Sequence, residues 1–160
     1  MNTATLEPTD TLKITRRIKA PRERVFAAFT NADSISQWFG PGPVKVVKCT
    51  ADFRVGGSYR IQASTPDGEK VVSGVYREIT PPSKIAYTWK WEDDEDWNDL
   101  ESLVTFEFQA VGDETELNLT HTGFPSDESR GRHTHGWGGC LDKLDHLLTG
   151  AALPEFEHSC

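Results

Sequence analysis

Hydrophobic and polar positions along the chain change period twice, and the changes divide it into three parts. Leu12, Ile14 and Ile18 alternate with polar neighbours, which predicts a strand over 12–18, with Arg16 the one polar residue on the apolar side. The period then lengthens. Pro21 suits a helix start, where its missing N–H costs nothing, and Val25, Phe26 and Phe29 form an apolar stripe behind it. Asp33 is expected to cap a second short helix carrying Ile35, Trp38 and Phe39, which Gly40-Pro41-Gly42-Pro43 terminates. From residue 44 the period returns to two. Strands are expected at 44–53, 58–64, 70–79, 84–91, 101–110 and 114–122, separated by turn-forming stretches such as Pro66-Asp67-Gly68 and Pro81-Pro82. The last part is helical: Ser126 can cap it, Asp127 and Glu128 suit its positive end, and Gly150 suits its exit, framing one helix over about 127–149.

Strands joined by short loops make an antiparallel meander with one buried face. A long helix must bury its stripe, and that face is the only large apolar surface available. The expectation is an α+β fold: a curved antiparallel sheet wrapped around a long C-terminal helix, with two short helices near the N-terminus. It forms a single domain over 11–150, with residues 1–10 and 151–160 as tails.

The stretch HTHGWGGCLDKLDHLL at 133–148 offers two histidines and a cysteine that invite a metal reading. Helical geometry argues against one. At about 100° per residue, Trp137, Cys140, Leu141, Leu144, Leu147 and Leu148 share one arc with His133, whereas His135 lies about 200° further round. The two histidines therefore cannot hold one ion, and no metal is expected. Of the helix glycines 131, 136, 138 and 139, only Gly136 lies near the buried arc, where it could let the backbone approach the sheet or leave empty space. Toward its N-terminus the arc turns polar, with Ser126, Ser129, Arg130 and His133; His121 ends the inward face of the last strand nearby. His121, Arg130 and His133 are thus expected at one end of the sheet–helix space. They either satisfy local hydrogen bonds or form the polar lip of an apolar cavity suited to an anionic or carbonyl head group.

Composition narrows the function. A net charge of −8 over 160 residues argues against nucleic acid and anionic membranes. No apolar run is long enough to span a membrane, and the N-terminus lacks the pattern of a secretory signal. Three cysteines, odd in number and widely spaced, read as reduced thiols in a cytoplasmic protein. Acids crowd residues 92–99 around Trp97, which could serve as an apolar anchor for a basic partner or simply form a solvated hairpin tip. No G-x-S-x-G, H-E-x-x-H or P-loop signature occurs, and no cofactor is expected.

Several stretches carry a family resemblance: APRERVFAAFTNADSISQWFGP at 20–41, FRVGGSYR at 53–60, GVYREITPPSKIAYTWKW at 74–91, VTFEFQAVGDETELNLTHTGF at 104–124 and GWGGCLDKLDHLL at 136–148. The chain resembles the family related to the C-terminal domain of the activator of the ninety-kDa heat-shock chaperone's ATPase, within the START-like (SRPBCC) superfamily. That resemblance implies the helix-grip (START-like, Bet v-like) fold with a hydrophobic cavity between sheet and helix. It carries no shared catalytic motif onto these residues. The leading expectation is binding of a small hydrophobic or amphipathic ligand by Trp38, Phe53, Tyr59, Trp89, Phe106, Phe108 and Trp137, with His121, Arg130 and His133 at the lip. Two alternatives stand beside it. One is a cyclase, hydratase or hydrolase using His121 or His133 as acid or base and Arg130 against an enolate or carboxylate. The other is a chaperone-related interaction module. Either a monomer or a homodimer fits.

Overall fold

A computed structural model describes residues 11–92, 94–97 and 100–150. The expected tails, 1–10 and 151–160, lie outside the described residues, as does Cys160. The elements run β1 (Thr11–Ile18), α1 (Arg22–Ala27), α2 (Ala32–Trp38), β2 (Lys45–Ala51), β3 (Ser58–Thr65), β4 (Gly68–Thr80), β5 (Lys84–Trp91), β6 (Ser102–Val111), β7 (Glu114–Thr122) and α3 (Asp127–Thr149), with a 3-10 turn at Glu95–Trp97 between β5 and β6. The seven strands form one antiparallel sheet in the order β1-β7-β6-β5-β4-β3-β2. Irregularities at Val46/Lys48 in β2 and Tyr76/Glu78 in β4 shift the register, the kind of feature that bends a strand. Pro81-Pro82 is a cis peptide in the β4–β5 turn.

The curved sheet grips α3 as the periodicity implies. Trp137, Cys140, Leu141, Leu144 and Leu148 are buried against it. Leu141 and Leu144 are fully inaccessible, so each contributes about 1.5–3 kcal/mol of apolar burial. Leu147, expected on the same arc, is 36% exposed, because the sheet covers a narrower stripe than the wheel allowed. Ser126 accepts a hydrogen bond from the Ser129 N–H at 3.1 Å, and Gly150 closes the helix in the left-handed region at φ 78°.

The two short helices close one end of the sheet. Asn31, not Asp33, caps α2: its side chain accepts from the Ser34 N–H at 2.8 Å, and Asp33 sits in the first turn. Aromatic packing fixes this end, with Phe29 4.7 Å from both Trp38 and Phe106, and Phe26 5.2 Å from Phe108, centroid to centroid. The Trp38 indole donates to the Ala28 carbonyl at 2.9 Å. Arg16, out of pattern in β1, reaches across to α3, donating to Asp142 at 2.8 Å and to the Gly138 carbonyl at 3.1 Å.

Gly139, rather than Gly136, is where the backbone comes close. A Cβ at Gly139 would lie 2.4 Å from Pro41 Cβ and 2.7 Å from Pro41 Cα, while one at Gly136 would meet nothing nearer than 4.0 Å. The Gly-Pro-Gly-Pro segment therefore seats directly on α3. There the Gly40 N–H donates to the buried Cys140 Sγ at 3.1 Å.

Candidate functional site

Packing divides the space between sheet and α3 in two. Around the C-terminal half of α3 it is filled with side chains. Between α2 and the sheet lies a void of about 20 Å³ bordered by Trp38, Tyr59 and Trp89, room for roughly one water. Around the N-terminal half of α3 lies an open groove of about 1370 Å³, floored by β5 and flanked by the β3–β4 hairpin and the 94–97 turn. This exceeds the roughly 300–1,000 Å³ of an ordinary small-molecule pocket.

The groove takes three of the residues expected to contact a ligand: Trp89, His133 and Trp137. The others are placed elsewhere. Trp38, Phe106 and Phe108 pack in the core, Phe53 sits 6.1 Å from Phe26 and 5.1 Å from Tyr76, and Tyr59 packs tilted against Tyr76 and edge-on against Tyr87. Alternation along a strand identifies which side chains point inward, but not which inward positions are covered by α1 and α2. Arg130 does not reach the groove either; it faces Asp127 at 3.8 Å. His121 is fully buried beneath the groove instead of at its lip.

Tryptophan dominates the walls. Trp89, Trp91, Trp97 and Trp137 all line the groove, four of the five in the chain. Trp89 and Trp137 lie 4.9 Å apart, and Trp91 meets Trp89 edge-on at 5.5 Å. Trp97 is the residue whose role differs most from expectation. It is 2% exposed, packed 5.3 Å from His133 and 6.1 Å from Phe124, so it forms part of the wall and is no exposed anchor. The 3-10 turn at Glu95–Trp97, within the acidic run, folds it inward.

The two histidines are tied into this wall by indoles. Trp137 Nε1–H donates to His121 Nδ1 at 3.0 Å, and Trp91 Nε1–H donates to His133 Nε2 at 2.8 Å. An indole nitrogen can only donate, so each receiving nitrogen is unprotonated. His121 therefore carries its proton on Nε2, 3.2 Å from Ser102 Oγ, and that hydroxyl donates onward to the Trp89 carbonyl. His133 carries its proton on Nδ1 and donates to the Ser129 carbonyl at 2.8 Å. The two rings are opposite tautomers 5.6 Å apart, and both are held neutral. Burial, and then the neighbouring His133, keeps His121 well below the ordinary histidine range. Burial lowers His133 too, opposed by the Ser129 carbonyl and reinforced by Arg132.

This arrangement bears on chemistry. The rings are near enough to act together, but each of their four nitrogens already has a partner within the protein. Acid–base work by either ring would first require breaking one of those bonds. Cys140 also lines the groove, but burial pushes its thiol up to about 12, which leaves no thiolate for nucleophilic attack. Among the described residues, no group of three His, Cys, Asp or Glu side chains is arranged to hold a metal ion; His135, exposed on α3, lines the groove as well.

Two polar groups at the groove stay unpartnered. Trp89 Nε1 and Ser129 Oγ are buried without a hydrogen-bond partner, on residues 4% and 2% exposed. Such groups cost about 1–3 kcal/mol each when left unsatisfied. Both residues line the groove, where a ligand acceptor would relieve that cost. Nothing in the sequence marks either as an orphan, because partnership depends on contacts made across the fold.

The model of the family "Activator of Hsp90 ATPase homolog 1-like protein" matches residues 19–149. A curated relative from Dictyostelium discoideum, named activator of 90 kDa heat shock protein ATPase homolog, is 26% identical over 152 residues. The match covers 92% of this chain but only 36% of that protein, so the chain spans about a third of its length. Among solved structures, the AHSA1 protein from Silicibacter pomeroyi is 30% identical with a TM-score of 0.75, covering 86% of this chain and 96% of that one. A Chromobacterium violaceum protein shares the fold at 24% identity and a TM-score of 0.78, covering 87% and 96%.

Proposed function

The chain belongs to the activator of Hsp90 ATPase homolog 1-like family, of START-like fold, and on that footing we propose that it binds a small amphipathic molecule in the tryptophan-lined groove. The observation that carries the reading is convergence. Four of five tryptophans, and the two residues that carry buried unpartnered polar groups, line one groove. Aromatic walls supply apolar contact, and the few polar groups orient what they hold. Release of the cost of the Trp89 and Ser129 orphans adds to the affinity. We place this activity in the cytoplasm, a setting that suits the unpaired thiols of Cys49 and Cys140.

Binding without turnover is the form favoured, since neither histidine has a free nitrogen. A chaperone partner engaged through Trp97 loses support, because that indole is inside the wall. The test is a tryptophan-fluorescence and calorimetric titration with amphiphiles, run on the natural chain and on Gly136→Leu. A Cβ at Gly136 meets only Pro41 Cγ, at an ordinary contact distance of 4.0 Å, and the residue lines the groove, so a larger side chain there is expected to narrow it. Binding by the natural chain that the variant loses by tenfold or more supports the groove; equal binding by both removes it.

A further inference from the structure

The charges around the groove say more about its ligand than the walls do. Six carboxylates line it (Asp67, Glu69, Asp94, Glu95, Asp96 and Glu128) against two cations, Lys70 and Arg132. Arg132 is itself engaged by Glu128 at 3.4 Å, one helical turn away. His121 and His133 are neutral, Arg130 is turned to Asp127, and a further histidine, His135, lines the groove beside Arg132. Among the described residues, Asp67, Glu69, Asp94, Glu95 and Asp96 are each without an ion-pair partner. Asp67 and Glu69 come from the β3–β4 hairpin, and the other three from the turn at 94–97, so negative charge lines the groove from two separate segments. An anionic head group, the expectation from Arg130 and the histidines, meets repulsion here.

Resting on the groove reading above, we infer that the ligand is a cationic amphiphile, with an ammonium group at the carboxylate rim and an apolar body among the tryptophans. It also presents an acceptor oxygen to the interior. Two independent features fit that class. The rim attracts positive charge, and the buried Trp89 N–H and Ser129 hydroxyl lack an acceptor. A purely hydrocarbon cation would leave those two donors as they are. An ester or amide joining the charged head to the apolar body would serve one of them.

The experiment compares three probes of one chain length by calorimetry on the full chain. They are decanoylcholine, its neutral isostere 3,3-dimethylbutyl decanoate, in which carbon replaces the ammonium nitrogen, and decanoate. The expected order is decanoylcholine tightest, by roughly tenfold over the neutral ester, with decanoate weakest. Raising the salt concentration should weaken the first alone. In the triple variant Asp67→Asn, Glu95→Gln, Asp96→Asn the cationic probe should fall to the level of the neutral ester, whose unchanged binding shows that the groove is intact. Equal binding of cation and neutral ester, or preference for decanoate, overturns the charge inference and leaves the groove reading standing. If none of the three binds, both fall.

Discussion

The contact between Gly139 and Pro41 allows a prediction with a sign. Replacing a glycine by alanine inside a helix stabilises it by about 1 kcal/mol through backbone entropy and propensity alone. Gly131 provides the reference, since a Cβ there meets no heavy atom within 4 Å. Gly131→Ala should therefore realise that gain and raise the melting temperature by about 3 °C for a domain of this size. Gly139→Ala should not. Its Cβ would sit 2.4 Å from Pro41 Cβ and 2.7 Å from Pro41 Cα, so helix and loop must part by about 1 Å to restore normal contact. Overpacking of that kind costs about 1–3 kcal/mol, which outweighs the propensity gain or cancels it. The same displacement pulls the Gly40 N–H from Cys140 Sγ, now 3.1 Å away. Paired urea and thermal unfolding of the two variants reads the difference. Equal stabilisation by both alanines would refute the idea that close seating of the loop on α3 is why residue 139 is glycine.

Other consequences can be measured directly. Because His121 and His133 are both held neutral in the fold, their contribution to stability is intact above about pH 6.5. As the pH falls below that value the unfolded rings take protons that the native ones refuse, so stability drops by up to about 1.4 kcal/mol per pH unit for each. Urea midpoints of the natural chain and His121→Gln at pH 7.5 and 5.5 check this, and an unchanged slope in the variant counts against it. Trp137→Phe removes the donor to His121 Nδ1 and leaves a void, for an expected loss of about 2–4 kcal/mol in the same assay. Alkylation followed by peptide mass spectrometry should leave Cys140 unmodified in the native chain while the half-buried Cys49 reacts slowly; prompt labelling of Cys140 would contradict its raised pKa and burial.

Legibility in the sequence followed the range of the interactions involved. Strand 84–91, strand 114–122 and the helix from 127 to 149 appear with the expected bounds, because period and caps are local properties. The cap of α2 fell to Asn31 rather than Asp33, a shift of two residues among side chains equally able to accept. Arg16 in β1 became intelligible only when Asp142, 126 residues away, was placed beside it. Gly139 likewise needed Pro41, and Trp97 needed Phe124 and His133. For the site, His133, Trp89 and Trp137 followed from facing and position, whereas the rim carboxylates of the hairpin and the 94–97 turn did not. Nothing local says that two such segments share one groove.

Along α3 the side chains divide by position. Leu141, Leu144 and Leu148 belong to the core alone, Glu128, Gly131 and Arg132 line the groove alone, and Trp137 and Cys140 belong to both. The hairpin tip at 66–68 and the acidic side chains at 94–96 give the rim its charge, yet none of them belongs to the buried core. Their side chains can therefore be exchanged with little penalty to folding. Such a layout leaves a handful of exterior positions free to vary without disturbing the core, which fits sequences that share 24–30% identity while their backbones still superpose.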